Sequence, residues 1–463
     1  MNQADIPYLS ASRLSALIES REVSPVEATR AYLRRIDELD FKFNSYLTVT
    51  RKHALRQAEE AEREILGGRH RGPMHGVPVA VKDQLWTRGI RTTGGSRILA
   101  DLVPEDDATV VANLKAAGAV VLGKTNLTEF AIGGPHSYAN ARNPWDLDTS
   151  AGSSSSGSGS ATSAYLCATS LGEDTGGSIR FPASWCGIVG LRPTWGLVSR
   201  YGVMRGVWSM DQVGPISRTV EDAAITLGAI AGPDPKDPYT RDAAVPDYRR
   251  ALGGGLKGMR IGLVTELTQG EVVDPEVREA VTRASTVLEE LGASVEEVSI
   301  PLSAHATTIF WSHLSVEPAS THLQWLRDRL PEYGYSNRIS LLMGSVMPAQ
   351  SYYKAQKLRA LLRREVHDAL DRYDLLMSPT IGATAQRVEG TGAESARRRP
   401  YLLTFTFNLA NCPAISVPCG FSSHGLPVGL QLGGRPFGEE TILRAAHAYE
   451  QATPWHTMRP TYA

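Results

Sequence analysis

Between Ser150 and Pro182 the chain reads SAGSSSSGSGSATSAYLCATSLGEDTGGSIRFP. Ser178 follows two glycines. A serine so placed can sit on a tight turn with outward-facing backbone N–H groups. Such donors, here from Thr175, Gly176 and Gly177, form an oxyanion hole beside a nucleophile. A serine hydroxyl is a weak nucleophile at neutral pH and needs a base. There are 11 histidines. His75 precedes the strand-like run Val77 to Val81, but nothing else ties it to the serines. His136, His305, His313, His322, His367, His424, His447 and His456 occur without a motif and read as surface or loop residues. Lys82 is the better base. It ends GVPVAVKDQ, where Val77 to Val81 read as a buried strand, and a lysine desolvated there can lose its proton. The same spacing fits a surface lysine capping a strand. Asp174 and Arg180 flank the serine turn with opposite charges and read as a supporting ion pair.

Other elements must bring these residues together. The apolar run Ala161 to Leu171 reads as a buried helix, and the serine cluster before it has the composition of a flexible linker. Ser24, Pro25 and Glu27 make a capping box with proline at the first helical position, which predicts a helix to about Leu39. Further helices are predicted over Arg51 to Leu66, Ala108 to Ala117, Thr219 to Ala231, Pro275 to Leu291, Tyr352 to Tyr373 and Glu439 to Gln451. Strands are predicted over Ala119 to Leu122, Met259 to Val264, Leu375 to Ser378, Ile415 to Val417 and Val428 to Leu432. This alternation argues for a three-layer α/β fold. Gly232 to Pro246 and Gly382 to Arg399 read as loops.

Taken together, GVPVAVKDQ, GAVVLGKTNLTEFA, the serine block, GEDTGGSIRFPASWCGIVGLRPTWG and DQVGPISRTVEDAA resemble the amidase signature family. PAISVPCGF and GLPVGLQL fit as well. The resemblance runs with gaps from about residue 25 to 450 and is most specific from Lys82 to Asp222. It implies a mixed central sheet with helices on both faces, one amidase domain over 1–463, and an N-terminal helical segment 1–70 packed on it. It also implies amide hydrolysis by a Ser–cisSer–Lys triad. Residue by residue, GGS gives the nucleophile Ser178 and VAVKD gives Lys82. Ungapped alignment back from Ser178 puts the middle serine at Ser154, with a cis peptide before it. Where the family has GGSSGGS this chain has Gly152, Ser153, Ser154, Ser155, Ser156, Gly157 and Ser158, so Ser153 and Ser155 stay open as alternatives.

The chemistry of such a triad follows from its groups. Ser178 attacks the carbonyl carbon, its proton passes to Ser154, and Ser154 hands its own to neutral Lys82. Reversing the relay protonates the leaving amine, and water then clears the acyl-enzyme. For a lysine of pKa about 10.4, deprotonation at pH 7 costs roughly 4.6 kcal/mol, so burial must lower that pKa.

Composition excludes other classes. A net charge of −1 leaves no basic footprint for nucleic acid. No apolar run reaches the roughly 18 residues of a membrane span, and the N-terminus lacks a signal-peptide pattern. Arg397, Arg398 and Arg399 form the only dense basic run and read as a solvated loop. Cys167, Cys186, Cys412 and Cys419 lie among apolar residues without CxxC spacing and read as buried reduced thiols of a cytoplasmic protein. No metal or organic cofactor is expected. Gly118 to Thr125, GAVVLGKT, matches the P-loop pattern, but its middle reads as a strand where a P-loop needs a loop. Met204 and Trp208 read equally as core or as substrate pocket.

The leading expectation is a free-standing amidase acting on a small amide, aryl amide or carbamate, with a homodimer compatible. The alternative is the glutaminase subunit of a tRNA-dependent amidotransferase complex. The YDGVRYG segment usual in that subunit is absent after Pro301, where this chain has HATTIFWSHLSVEPASTHLQW, and this favours the free-standing enzyme.

Overall fold

The computed structural model describes residues 2–133, 138–204, 206–388 and 403–461; His136 and the run Arg397 to Arg399 lie outside them. Its centre is an eleven-stranded sheet. In chain order the strands that concern us are β1 (Tyr46–Val49), β2 (Pro78–Lys82), β3 (Val120–Thr125), and a separate two-stranded pair, β4 (Arg142–Asn143) and β5 (Asp146–Ser150). Next come β6 (Thr169–Glu173), β7 (Val189–Arg192), β8 (Val213–Ser217), β9 (Arg260–Val264), β10 (Ser294–Val298), β11 (Leu375–Pro379), β12 (Ala414–Phe421) and β13 (Pro427–Gly434). Spatial order in the large sheet is β1-β3-β2-β6-β8-β7-β12-β13-β11-β9-β10. β3, β2 and β6 are mutually parallel, as are β11, β9 and β10, whereas β8, β7, β12 and β13 pair antiparallel.

The sheet is mixed, with helices over both faces, and its strands show why. Every residue of β2, β3, β6 and β13 is buried. Strands covered on both faces read as unbroken apolar runs rather than alternating ones. The amphipathic helices Arg51–Leu66, Pro275–Glu290 and Glu439–Ala452 lay their Ala, Ile, Leu and Val faces on this layer. The helix Pro25–Phe43 starts with the expected capping box at Ser24 and Glu27, and runs on to a left-handed cap at Asn44. No helix among the described residues is long and apolar enough to cross a membrane.

Two local expectations are corrected. The serine block is no linker: Ser156–Ser163 is a helix whose every residue is buried. Small residues are needed there because a Cβ on Gly157 would collide with the backbone of Asn126 and Ser45, and one on Gly159 with Pro182. Nor is Ala161 to Leu171 one helix. The helix ends at Ser163, and after a turn in which Tyr165 takes φ 60° the chain enters β6 at Thr169. The apolar run could not reveal that break, since buried helix and buried strand have the same composition. The P-loop-like stretch is β3, as its apolar middle implied.

Candidate active site

β2 and β6 lie side by side and parallel, with Val81 opposite Leu171. Their carboxyl ends therefore open on one edge, where Lys82 closes β2 and Glu173 closes β6. Lys82 is wholly buried, which rules out the surface-cap reading of the sequence. Its Nζ donates to Ser154 Oγ at 2.8 Å and to the Glu173 carbonyl at 3.3 Å. The Glu173 carboxylate stands 3.5 Å from the same Nζ. Burial pushes Lys82 below the ordinary lysine range and Glu173 above the ordinary carboxylate range.

Ser154 and Ser155 are buried and Ser178 is half-buried, at the mouth of the arrangement. The hydroxyls of Ser153 and Ser178 are 3.1 Å apart and hydrogen-bonded. Ser155 Oγ instead donates to the Glu173 carbonyl and accepts from the Glu173 N–H, so it ties the serine helix to β6. Of the three serines left open by the sequence, Ser154 meets Lys82, Ser153 meets Ser178, and Ser155 meets neither. The peptide bond before Ser154 is trans, not the cis bond that the resemblance implied; trans is the lower-energy form of a non-prolyl peptide by about 2.5–4 kcal/mol.

The turn carrying Ser178 is held from below by Asp174. Its carboxylate accepts from the N–H of Gly177 at 2.7 Å and of Ile179 at 3.3 Å. It also takes a two-point contact from Arg180, Nε to Oδ2 at 3.0 Å and Nη2 to Oδ1 at 3.1 Å. Arg192 lies 3.6 Å away, and Asn408 donates at 2.7 Å. Despite complete burial, these cations hold the carboxyl well below its usual range. Arg180 reaches on to Gln431 at 2.5 Å and to the Thr404 carbonyl at 3.2 Å. Asp174 and Arg180 thus sit under the turn as an ion pair.

The Gly177 N–H, expected to face an oxyanion, is already given to Asp174. Among the described residues the N–H groups of Thr175, Gly176 and Ser178 make no such bond. Glycine is required on this turn: Gly177 has φ 113°, and a Cβ there would overlap Thr404. A Cβ on Gly176 would overlap Phe310, which stacks on Phe405 with centroids 4.0 Å apart. Phe310 belongs to the helix Ala306–Thr321, so the segment after Pro301 that lacks YDGVRYG walls the nucleophile turn.

Several of these residues escape sequence reasoning. Nothing inside GEDTGGS singles out Glu173. Asp211, which lies 2.7 Å from Thr175 Oγ1, and Gln431 fall inside the quoted motifs DQVGPISRTVEDAA and GLPVGLQL without being singled out there, and Thr404 and Asn408 lie outside every quoted motif. Their one shared signal is that they are polar residues inside the otherwise apolar segments around β8, β12 and β13. Among the described residues the histidines stay apart from the serines: His75 is buried against Glu64 and Arg71, and His313 and His322, read from the sequence as surface or loop residues, are buried in the helical segment after Pro301. Trp208 is 47% exposed and packs on Tyr239 at 5.2 Å, so it is no core residue. All four cysteines are buried.

A large mixed sheet with a lysine–serine–serine cluster at its strand ends defines a class of amide hydrolases, and the comparisons agree. The Amidase family pattern matches residues 27–443, and the chain belongs to that family, the amidase signature hydrolases of carbon–nitrogen bonds. It is 44% identical to the A-subunit of glutamyl-tRNA(Gln) amidotransferase from Moorella thermoacetica, over 98% of this chain and 99% of that one. Among solved structures it is similar to the corresponding A-subunit from Thermotoga maritima, at 34% identity and TM-score 0.84 over 99% of each chain. It is equally similar in extent to the native peptide amidase of Stenotrophomonas maltophilia, at 32% identity and TM-score 0.86 over 99% of each chain.

Proposed function

We propose that the chain hydrolyses a carboxamide through an acyl-enzyme on Ser178, with Ser154 and Lys82 as the proton relay. The observation that carries this reading is the 2.8 Å contact between Ser154 Oγ and a lysine taken wholly out of water. Desolvation favours the neutral amine, and only a neutral amine can accept a proton. Of Lys82, Ser154 and Ser178, only Ser178 is not fully buried. The unengaged N–H groups of Thr175, Gly176 and Ser178 are the oxyanion donors of this reading. Ser178→Ala abolishes turnover, and a fluorophosphonate labels Ser178; label on another serine in the peptide map would refute the assignment.

For the substrate, the comparisons reverse the preference drawn from sequence. Relatives matching over almost their whole length are A-subunits of glutamyl-tRNA(Gln) amidotransferases, which supports glutamine as the amide donor and work inside a complex. A second reading keeps the free-standing enzyme, acting on an amide, aryl amide or carbamate. The Phe310–Phe405 stack against Gly176, to which the departing segment contributes Phe310, favours it, as does the similarity to a peptide amidase. The deciding experiment combines size-exclusion of the purified chain, a glutaminase assay with and without the other amidotransferase subunits, and a panel of aliphatic amides, anilides and carbamates. Glutamine turnover that needs the added subunits supports the first reading. Turnover of anilides or carbamates by the chain alone, without glutaminase activity, supports the second.

A further inference from the structure

Hydrogen counting around the end of β6 leads to one more assignment. Thr175 Oγ1 lies 2.8 Å from Glu173 Oε1 and 2.7 Å from Asp211 Oδ1. A hydroxyl has one hydrogen, so it can donate to only one of two carboxylates. Asp211 is well supplied with donors. Its Oδ1 accepts from Val207 N at 2.9 Å, and its Oδ2 from Gly206 N at 2.9 Å and Val207 N at 3.0 Å. Glu173 is not: its side chain is 1% exposed and its Oε2 has no hydrogen-bond partner. A carboxylate left so poorly solvated is costly, whereas a carboxylic acid there completes the pattern.

We propose that Glu173 carries a proton in the resting protein, donating it from Oε1 to Thr175 Oγ1, which in turn donates to ionised Asp211. Glu173 is then a positioning residue for the base. Were it ionised, its charge 3.5 Å from Nζ would hold Lys82 as an ammonium, which cannot accept a proton. As an acid it leaves Lys82 neutral, with a lone pair for the Ser154 hydroxyl 2.8 Å away and an N–H for the Glu173 carbonyl at 3.3 Å. The other charged groups facing this pair are Asp211 and Asp174, with Arg192 from β7. Burial acts most strongly against ionisation of Glu173 and both aspartates act in the same sense, which outweighs the opposing pull of Lys82 and the Thr175 hydroxyl.

The inference rests on Lys82 as the base, and the test separates the two. Glu173→Gln is permanently neutral and keeps the side chain's shape. The readouts are the pH profile of kcat/KM on an amide that Ser178→Ala does not turn over, and the infrared difference spectrum of wild type minus variant at neutral pH. The expected result is an acid limb displaced by less than about 0.3 pH unit, together with a lost protonated-carboxyl C=O band that shifts in D2O. A fall of the acid limb by about one unit or more, or loss of carboxylate stretches only, overturns the proposal, since removing an anion beside an ammonium lowers that ammonium's pKa. Glu173→Met, neutral and of similar size, gives the same two readouts should the glutamine variant fold poorly. If Lys82→Ala keeps the wild-type acid limb, the base assignment fails, and the infrared band still decides the state of Glu173.

Discussion

Replacing Ser153 and Ser154 one at a time tests which serine stands between nucleophile and base. Ser154 Oγ contacts Lys82 Nζ at 2.8 Å, whereas Ser153 Oγ contacts Ser178 Oγ at 3.1 Å. If the Lys82 contact defines the relay, Ser154→Ala removes a proton-transfer group, and such groups contribute about 10²–10⁴-fold. That corresponds to roughly 2.7–5.4 kcal/mol in the barrier. Ser153→Ala removes one bond between neutral hydroxyls, worth about 0.5–1.5 kcal/mol, hence about a tenfold loss at most. The two variants should therefore differ by at least an order of magnitude in kcat/KM. The assay is an anilide and a nitrophenyl ester with the same acyl group. An amide must have its nitrogen protonated to leave and an activated ester need not, so Ser154→Ala should widen the ester-to-amide ratio while Ser153→Ala leaves it near wild type. A hundredfold loss in Ser153→Ala beside a tenfold loss in Ser154→Ala would refute the reasoning. It would make Ser153 the middle group and the Lys82–Ser154 contact a structural one.

Three further outcomes are expected. The amide kcat/KM rises with pH as Lys82 loses its proton, with the limb below the ordinary lysine value of about 10.4 because burial depresses it; Lys82→Ala flattens that limb and lowers amide rates more than ester rates, and an unchanged limb removes Lys82 from the relay. Asp174→Ala strands Arg180 and Arg192 in the interior and should cost about 3–5 kcal/mol, read as a lower urea midpoint; an unchanged midpoint would show that the ion pair contributes little. Activity should survive EDTA, since nucleophile, base and oxyanion donors are all protein groups, and a loss restored by a divalent ion counts against the mechanism.

What can be read from the sequence divides along a physical line. Periodicity and caps place Arg51–Leu66 residue for residue and the start of the helix at Pro25, because those signals are local. Motif spacing singles out Lys82 and Ser154, which are in contact, and Ser178, Asp174 and Arg180, which lie on and under the following turn. It does not find Thr404, Asn408 and Gln431, whose contacts with the turn span more than 200 positions of sequence and depend on β12 and β13 lying across the sheet. Glu173 is hidden for another reason. Its neighbours in sequence are explained by the turn, and only the positions of Thr175 and Asp211 show that its carboxyl lacks donors. The serine block misleads because glycine and serine serve two opposite ends. In a solvated chain they give freedom, and in Ser156–Ser163 they permit close approach to Asn126, Ser45 and Pro182.

This division also explains why the reaction is easier to read than the substrate. The groups proposed to move protons sit at the ends of β2 and β6 and on the turn after β6, where burial, parallel register and the Asp174 ion pair fix them in place. The wall beside the nucleophile turn comes from elsewhere: Phe310 of the helix Ala306–Thr321 lies against Gly176 and stacks on Phe405. A change in that helix alters the wall of the site without disturbing the relay beneath it. Resemblance over nearly the whole chain therefore constrains the chemistry at Ser178 strongly and the acyl group weakly. The departure from YDGVRYG falls in the part free to vary, so it bears on which amide is cleaved and not on whether one is.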